Sequence, residues 1–506
     1  MNTDVIYIEI CAAILGIFIV VVEAVAGAYT GANAIRSVPG SSNDLNDSVL
    51  RRALGPVVFF GLCVLFIISS AVHPEFIEYA FGKSYIMDGL AIFSKQFFII
   101  TAIFITALFL YYNGVMRIIS LENYAFVVFA LIGMMFAASA NHFIIMFVSL
   151  ELVTVSFYLL TSFRKRQRQV LEASIKYLIY SAVASAFLIY GIALTYGATG
   201  TMSFAGLSEF IKSNPGVIGD KLLNAGLAMI LVGLGFKVAI APFQFWVPDV
   251  YQGAPSPAVA FLATGSKAVG LILIIRLIST AAGQLAVGWR EVFIAIAAIT
   301  ILYGNLCAIP QRNVKRLIGY SSISHAGYLF MGIAAFDKSG ITAILYYLFI
   351  YMLALVAFFG VLMIISKDTD NREISLFAGL SRRSPFLAFA ATISLASLAG
   401  IPPCAGFMGK FLLIKSVLTQ TTVSVSYYYL IGIAIAGVAI SIYYYFNIIK
   451  EIYWSDVPVD APEISIPVFM KAVILVAVLG VIYYGVQPSF ILNFATTGAQ
   501  NIAINP

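Results

Sequence analysis

Six ionisable residues stand inside apolar sequence: Glu151, Lys176, Lys237, Lys267, His325 and Lys410. Glu151 lies in Ile144-Ile-Met-Phe-Val-Ser-Leu-Glu-Leu, and Lys267 lies in Ala260-Phe-Leu-Ala-Thr-Gly-Ser-Lys-Ala-Val-Gly-Leu. A charged side chain at the centre of a membrane helix costs ~2.5–3.5 kcal/mol on insertion scales. Glu151 and four lysines left unpaired would together cost more than roughly 10 kcal/mol. Pairing, hydration or loss of charge must offset that cost. Desolvation disfavours the charged form of any ionisable group, which brings lysine and carboxylate alike toward proton exchange near neutral pH. The chemistry such a set can do is proton transfer. A pair such as Glu151–Lys176 would load or release a proton as its separation changed. The alternative is that these groups form structural ion pairs or snorkel to the interface.

His325 follows Tyr320-Ser-Ser-Ile-Ser, and those hydroxyls suit a hydrated relay. A lone membrane histidine can equally bond a carbonyl or hydroxyl and do nothing else. Lys95 and Lys415 stand within snorkelling reach of span ends. Glu9, Glu23 and His142 are expected at interfaces, and Glu172 at the start of a helix, where a carboxylate suits the dipole. Asp249 is expected to serve a turn and a helix cap.

The elements that hold these residues are membrane spans. Hydrophobic residues make up 61% of the 506-residue chain and charged residues 10%, against about 25% charged in soluble domains. Apolar runs long enough to cross ~30 Å of hydrocarbon recur from end to end, so residues 1–506 are expected to form a single polytopic membrane domain. The expected fold is all-α and integral to the membrane, with about 14 transmembrane helices. The first seven fall at about 5–27, 55–72, 89–112, 123–138, 141–163, 171–196 and 222–240. The others fall at about 256–278, 289–308, 315–336, 341–366, 386–420 (interrupted), 426–449 and 467–490.

Two stretches break the pattern. Pro242 and Pro248 are expected to interrupt helix 7, and Pro402 and Pro403 helix 12, because proline lacks the amide hydrogen and clashes with the preceding turn. Interrupted helices are tolerated at membrane depth only against protein or a watery cavity. Lys237 and Lys410 are 173 residues apart, and Glu151 and His325 are 174 apart. Both offsets correspond to five spans, an odd number that inverts the second copy. The spacing suggests two inverted repeats, about 123–278 and about 289–450.

The net charge of +6 does not point to nucleic acid, because the basic residues sit in short loops between spans. Arg36, Arg51 and Arg52; Arg164, Lys165, Arg166 and Arg168; Arg312, Lys315 and Arg316; and Lys367, Arg372, Arg382 and Arg383 all fall on one side of this topology. The opposite loops hold few positives, such as Lys83, Lys212, Lys221 and Lys338. The positive-inside rule then puts both termini on the non-cytoplasmic side. The N-terminus lacks the basic region and cleavage site of a secretory signal. The basic run at 164–168 could also meet a neighbouring subunit or acidic lipid. Cys11, Cys63, Cys307 and Cys404 stand singly, with no metal-ligand spacing, and no phosphate-binding glycine loop is present. No metal or nucleotide is expected on this chain.

Several stretches together resemble the antiporter-like subunits of respiratory complex I, and among them the subunit N branch, called subunit 2 in mitochondria. They are Ser149-Leu-Glu-Leu, Glu172-Ala-Ser-Ile-Lys-Tyr, Gly233-Leu-Gly-Phe-Lys, and Pro242-Phe-Gln-Phe-Trp-Val-Pro-Asp-Val-Tyr-Gln-Gly-Ala-Pro. Lys315-Arg-Leu-Ile-Gly-Tyr-Ser-Ser-Ile-Ser-His-Ala-Gly-Tyr and Ala399-Gly-Ile-Pro-Pro-Cys-Ala-Gly-Phe-Met-Gly-Lys-Phe complete the set. Cys404 and Gln252 depart mildly from the expected pattern. The resemblance implies inverted five-helix repeats (spans 4–8 and 9–13) around a hydrated axis of protonatable residues. It implies that Glu151 and Lys176 couple to the neighbouring subunit. Lys237 and Lys267 would hold and pass the proton, with His325 leading toward Lys410 on the exit half.

By the same resemblance the chain is a proton-translocating subunit of an NADH-quinone oxidoreductase in a bacterial cytoplasmic membrane, with no redox chemistry of its own. NADH or another donor, flavin, iron–sulfur clusters and quinone would belong to partner subunits. Its own partners would be neighbouring antiporter-like and small membrane subunits, and lipids. The nearest rival is a subunit of a multisubunit cation/proton antiporter. A lipid-modifying enzyme would need a surface catalytic cluster, and none is evident.

Overall fold

The computed structural model describes residues 6–34, 42–72, 77–116, 122–163, 167–214, 220–280, 288–366, 373–458 and 464–502. Arg36, Arg164, Lys165, Arg166, Lys367 and Arg372 lie outside the described residues, as do the side chains of Glu23, Arg51 and Arg52.

Helix occupies each stretch expected to be a span. The chain runs α1 (Tyr7–Ala34), α2 (Ser42–Ser70), α3 (Gly89–Met116), α4 (Glu122–Ala138), α5 (Phe143–Thr161) and α6 (Arg168–Thr199). A short α7 (Phe204–Ser213) precedes α8 (Lys221–Val238), α9 (Trp246–Gly253) and α10 (Ser256–Phe261). A π-helical turn, Leu262–Ser266, joins α10 to α11 (Lys267–Thr280). Then come α12 (Arg290–Ala308), α13 (Val314–Ala334), α14 (Lys338–Ile365), α15 (Pro385–Ala399), α16 (Ala405–Leu418), α17 (Ser426–Trp454), α18 (Val468–Val486) and α19 (Ser489–Gln500). Among the described residues, nine helical segments are long and apolar enough to cross a membrane, and four shorter helices are apolar.

The stretch Ser256–Ser279 and helix α14 are apolar and buried on nearly all sides, so they form the centre of the bundle. α6, α17 and α18 keep most of their apolar surface outward, as hydrocarbon-facing helices do. One departure from an all-α chain is a small hairpin, β1 (Glu78–Ala80) with β2 (Tyr85–Met87). Its turn places Phe81, Gly82 and Lys83 at positive φ. Its second strand carries Tyr85 into the core.

Both expected breaks are present. α8 ends where Ala239 turns left-handed (φ 66°), and the cis Ala241–Pro242 bond follows. α15 ends where Gly400 turns left-handed (φ 88°), and the cis Pro402–Pro403 bond follows. Pro242, Pro402 and Pro403 thus lie in the breaks. Pro248 does not interrupt a helix. It sits in the first turn of α9, where its missing amide has no intrahelical partner to lose. Lys315, read from sequence as a loop charge, is instead buried in the first turn of α13 and donates to the Ala254 carbonyl at 2.5 Å.

Close helix approach depends on small residues, the usual device where lipid gives no hydrophobic drive to associate. Gly304 lets α12 lie against α13, where a Cβ would collide with the Ser324 backbone nitrogen. Gly133 does the same for α4 on α5, with the Ser149 carbonyl 3.0 Å from where its Cβ would stand. Replacing Gly304 with Val should therefore force α13 outward and destabilise the subunit by about 1–3 kcal/mol. The check is the thermal midpoint of the purified assembly, which should fall for Gly304→Val and less for Gly304→Ala. An unchanged midpoint would show that this contact is not tight.

Candidate functional site

Lys237, Lys267, His325 and Lys410 are 4%, 2%, 1% and 3% exposed, so snorkelling does not explain them. Each lysine is held by acceptors drawn from a neighbouring helix, and His325 by hydroxyls from two. Lys237 stands in the last turn of α8, beside the break, and its Nζ donates to Thr154 Oγ1 of α5 at 2.5 Å. Lys410 stands in α16, and its Nζ donates to the carbonyls of Leu398 and Ala399, both at 2.9 Å. Those are the last carbonyls of α15, left without intrahelical partners by the break, and they form the negative end of that half-helix. Lysine at both breaks thus sits where a half-helix ends.

Lys267 follows directly on the π turn, a feature often found at functional positions. Its Nζ donates to the carbonyl and, at 2.6 Å, to the hydroxyl of Ser322 on α13. Tyr351 donates to that same hydroxyl at 2.9 Å. One turn further along α13, His325 meets Tyr347 through Nδ1 at 2.7 Å and Tyr445 through Nε2 at 3.1 Å. One turn beyond, the Tyr328 ring lies 4.9 Å beneath Lys410 Nζ. Ser322, His325 and Tyr328 follow one another at three-residue spacing, which puts them on one helix face. Lys267 meets that face at Ser322 and Lys410 meets it at Tyr328, with His325 between them in the chain.

The first half is joined in a similar way. Glu151 and Thr154 share a face of α5, and the Glu151 carboxylate acts electrostatically on Lys237. Lys237 in turn packs on α11, with its Cβ 3.1 Å from where a Cβ on Gly270 would stand.

Some expectations from sequence are corrected. Glu151 and Lys176 do not pair. Glu151 accepts from Ser185, while Lys176 contacts Glu172 at 2.8 Å and Asp249 at 2.8 Å. The reason is helical geometry: Glu172 is one turn from Lys176, and α9 brings Asp249 against it. Asp249 is not the cap expected from sequence: it lies inside α9, whose N-cap is Phe245, and binds Arg316 at 2.8 Å as well as Lys176. These residues line a half-open cavity of about 290 Å³ with Gln169 and Gln252. The partners of His325 are tyrosines of α14 and α17, because Ser321 and Ser324 bond carbonyls of their own helix and Ser322 turns to Lys267. His142 caps α5, accepting from the Ile144 amide.

Lys95 does not snorkel. It is fully buried and pairs with Glu9 at 2.8 Å, so Glu9 is not interfacial either. A second buried pair, Asp88 with Arg276, joins the start of α3 to α11 through two bonds of 2.8 and 2.9 Å. Both signals were present in the sequence: an arginine near the end of an otherwise apolar run, and an aspartate opening another.

This arrangement defines a polytopic helical membrane protein with an ionisable interior. Residues 140–440 match the model of the NADH:quinone oxidoreductase/Mrp antiporter transmembrane family. NADH-quinone oxidoreductase subunit N 1 of Opitutus terrae is 41% identical over 75% of this chain and 78% of its own length. Subunit N of Desulforamulus reducens is 34% identical over 90% of this chain and 93% of its own length. Among solved structures, a chain of respiratory complex I from Thermus thermophilus superposes with a TM-score of 0.77 at 28% identity, covering 96% of this chain and 98% of that one. A chain of the Mrp complex from Dietzia shares the fold, with a TM-score of 0.79 at 18% identity, covering 99% and 97%. The chain belongs to the NADH:quinone oxidoreductase/Mrp antiporter membrane family, in its subunit N branch.

Breaking the Asp88–Arg276 pair tests its weight. Arg276→Met leaves a carboxylate in the core without its guanidinium and should destabilise the subunit by about 3–5 kcal/mol. Asp88→Asn/Arg276→Met should recover much of the loss. The amount of subunit in washed membranes, compared across the three proteins, checks this.

Proposed function

We infer that this chain is a proton-translocating membrane subunit of an NADH-quinone oxidoreductase. Its proton path would run through Glu151, Lys176, Lys237, Lys267, His325 and Lys410. The observation that carries this reading is the α13 face, where Ser322 meets Lys267, His325 meets Tyr347 and Tyr445, and Tyr328 lies beneath Lys410. Tyrosine and serine hydroxyls both donate and accept, and neutral imidazole donates at one nitrogen and accepts at the other. A proton accepted at one ring nitrogen of His325 can therefore leave from the other. Lys267, His325 and Lys410 cannot all be charged together without strong mutual repulsion, so a proton arriving at one favours release from another.

Lys176, Asp249 and Arg316 would form the polar mouth of the first half, where solvent or a neighbouring subunit can exchange protons with it. The two halves would be inverted repeats, 123–278 and 289–450, each with a lysine at its broken helix. Both termini would face the non-cytoplasmic side of a bacterial inner membrane. Quinone reduction in partner subunits would drive the protonation changes, with the redox groups held there. The multisubunit antiporter reading draws on the shared Mrp fold. The subunit N relatives that align along most of their length favour the oxidoreductase.

The test is proton release by the assembled complex in sealed vesicles. Lys237→Ala and Lys267→Ala should each lower proton release about 10-fold or more at normal assembly, the scale expected when a positioned proton-transfer group is lost. Normal pumping by both variants would sink the mechanism. Sodium exchange independent of quinone would favour the antiporter.

A further inference from the structure

Glu9 and Lys95 lie outside the axis, and Glu9, Tyr85, Asp88 and Lys95 all precede the segment matched by the family model. Glu9 is 2% exposed, and Lys95 and Tyr85 are fully buried. Lys95 Nζ donates to Glu9 Oε1 at 2.8 Å, to the Tyr85 hydroxyl at 2.5 Å and to the weak acceptor Met87 Sδ at 3.2 Å. Tyr85 completes the ring by donating to the same Glu9 Oε1 at 2.6 Å. Glu9 Oε2 is buried with no hydrogen-bond partner among the described residues.

The neighbouring carboxylate shows what a purely structural pair looks like. Asp88 uses both oxygens: Oδ1 accepts from the Ala91 amide at 2.9 Å and Arg276 Nη2 at 2.8 Å, and Oδ2 accepts from Arg276 Nη1 at 2.9 Å. Glu9 instead keeps one lone-pair face open, at a position where a proton can bind without breaking any bond the site now makes. An unmet buried carboxylate oxygen is costly, and protonation or a water molecule removes that cost. The charged and titratable groups around the pair are Tyr7 from α1, Tyr85 from β2, Asp88 at the start of α3, and Arg276 from α11. Arg276 lies on the same helix as Lys267, nine residues on, or about 13 Å by helical rise.

We propose that the buried Glu9–Lys95–Tyr85 cluster is a second proton-binding site of this chain, joined to the axis through α11, that takes up and releases a proton at Glu9 Oε2. It rests on the proton-transfer reading above. A proton delivered by water bonds to Oε2, and the pair passes from net neutral to net positive. Loss of that proton to water restores the carboxylate. Asp88 and Arg276 pair with one another beside it. The site lies at the end of the bundle where α1 and α3 begin and α11 finishes.

The first test uses the unaltered complex. Dicyclohexylcarbodiimide, an apolar reagent, reacts with protonated carboxyl groups in apolar surroundings. Mass spectrometry should find Glu9 modified, increasingly as pH is lowered, with Asp88 unmodified. An unmodified Glu9 across the range, with other carboxyls of the chain labelled, overturns the proposal. The second test compares Glu9→Gln, which keeps the shape but cannot bind the proton, with Glu9→Asp, which can. Glu9→Gln should slow proton release by the assembled complex about threefold or more, and Glu9→Asp should retain most of it. Wild-type release by Glu9→Gln, or equal loss in both, overturns the proton role. Labelling reports Glu9 alone and Lys267→Ala reports the axis, so either account can fail without the other.

Discussion

Each buried ammonium in this bundle needs acceptors that surrounding hydrocarbon cannot supply. Five buried lysines among the described residues, Lys95, Lys237, Lys267, Lys315 and Lys410, are stable only if the protein brings oxygen to each of them, and much of the architecture follows from that requirement. Regular helices offer few free carbonyls, because each is already bonded four residues on. The chain makes acceptors available by interrupting its helices. The break after α15 exposes the carbonyls of Leu398 and Ala399 to Lys410. Side-chain hydroxyls serve as well, as Thr154 does for Lys237 beside the other break and Ser322 for Lys267.

In the proposed path the same groups that stabilise these charges also connect them. A hydroxyl accepting from one lysine can donate to the next group, which a carbonyl cannot do. Ser322 brings two donors together, since its hydroxyl oxygen accepts from both Lys267 and Tyr351 at one point on α13. α13 can carry this polar face through the core because Gly304 lets α12 close over its other side. The tyrosines of α14 and α17 then enclose His325 from two directions.

Much of this was legible in the sequence. Buried charges, helix breaks and span positions all follow from one-dimensional signals: a lysine among apolar residues, two clusters of proline and glycine, runs of fixed length. Pairing was not legible, because it depends on which helices become neighbours. Glu151 and Lys176 sit on adjacent spans, but Lys176 meets Asp249 because α9 folds back across α6. Lys95 was discounted for lying near a span end, where distance to the interface looked short. The hairpin carrying Tyr85 and the first turns of α1 close over that end, so the interface is out of reach. Pro248 misled because a proline that opens a helix and one that breaks it look alike without knowing where the helix starts.

Two polar systems therefore share one apolar body: the proposed axis through α5, α8, α11, α13 and α16, and the cluster where α1, β2 and α3 meet. The central claim is that the axis is continuous, with side-chain oxygens and water filling every step between its charged groups. A cryo-electron microscopy map of the assembled complex, fine enough to show ordered water, tests this most directly. The account predicts water density joining Lys237 to Lys267 and His325 to Lys410, leaving no step longer than a hydrogen bond. A dry apolar gap at either place, in a map that shows ordered water elsewhere in the core, would contradict it.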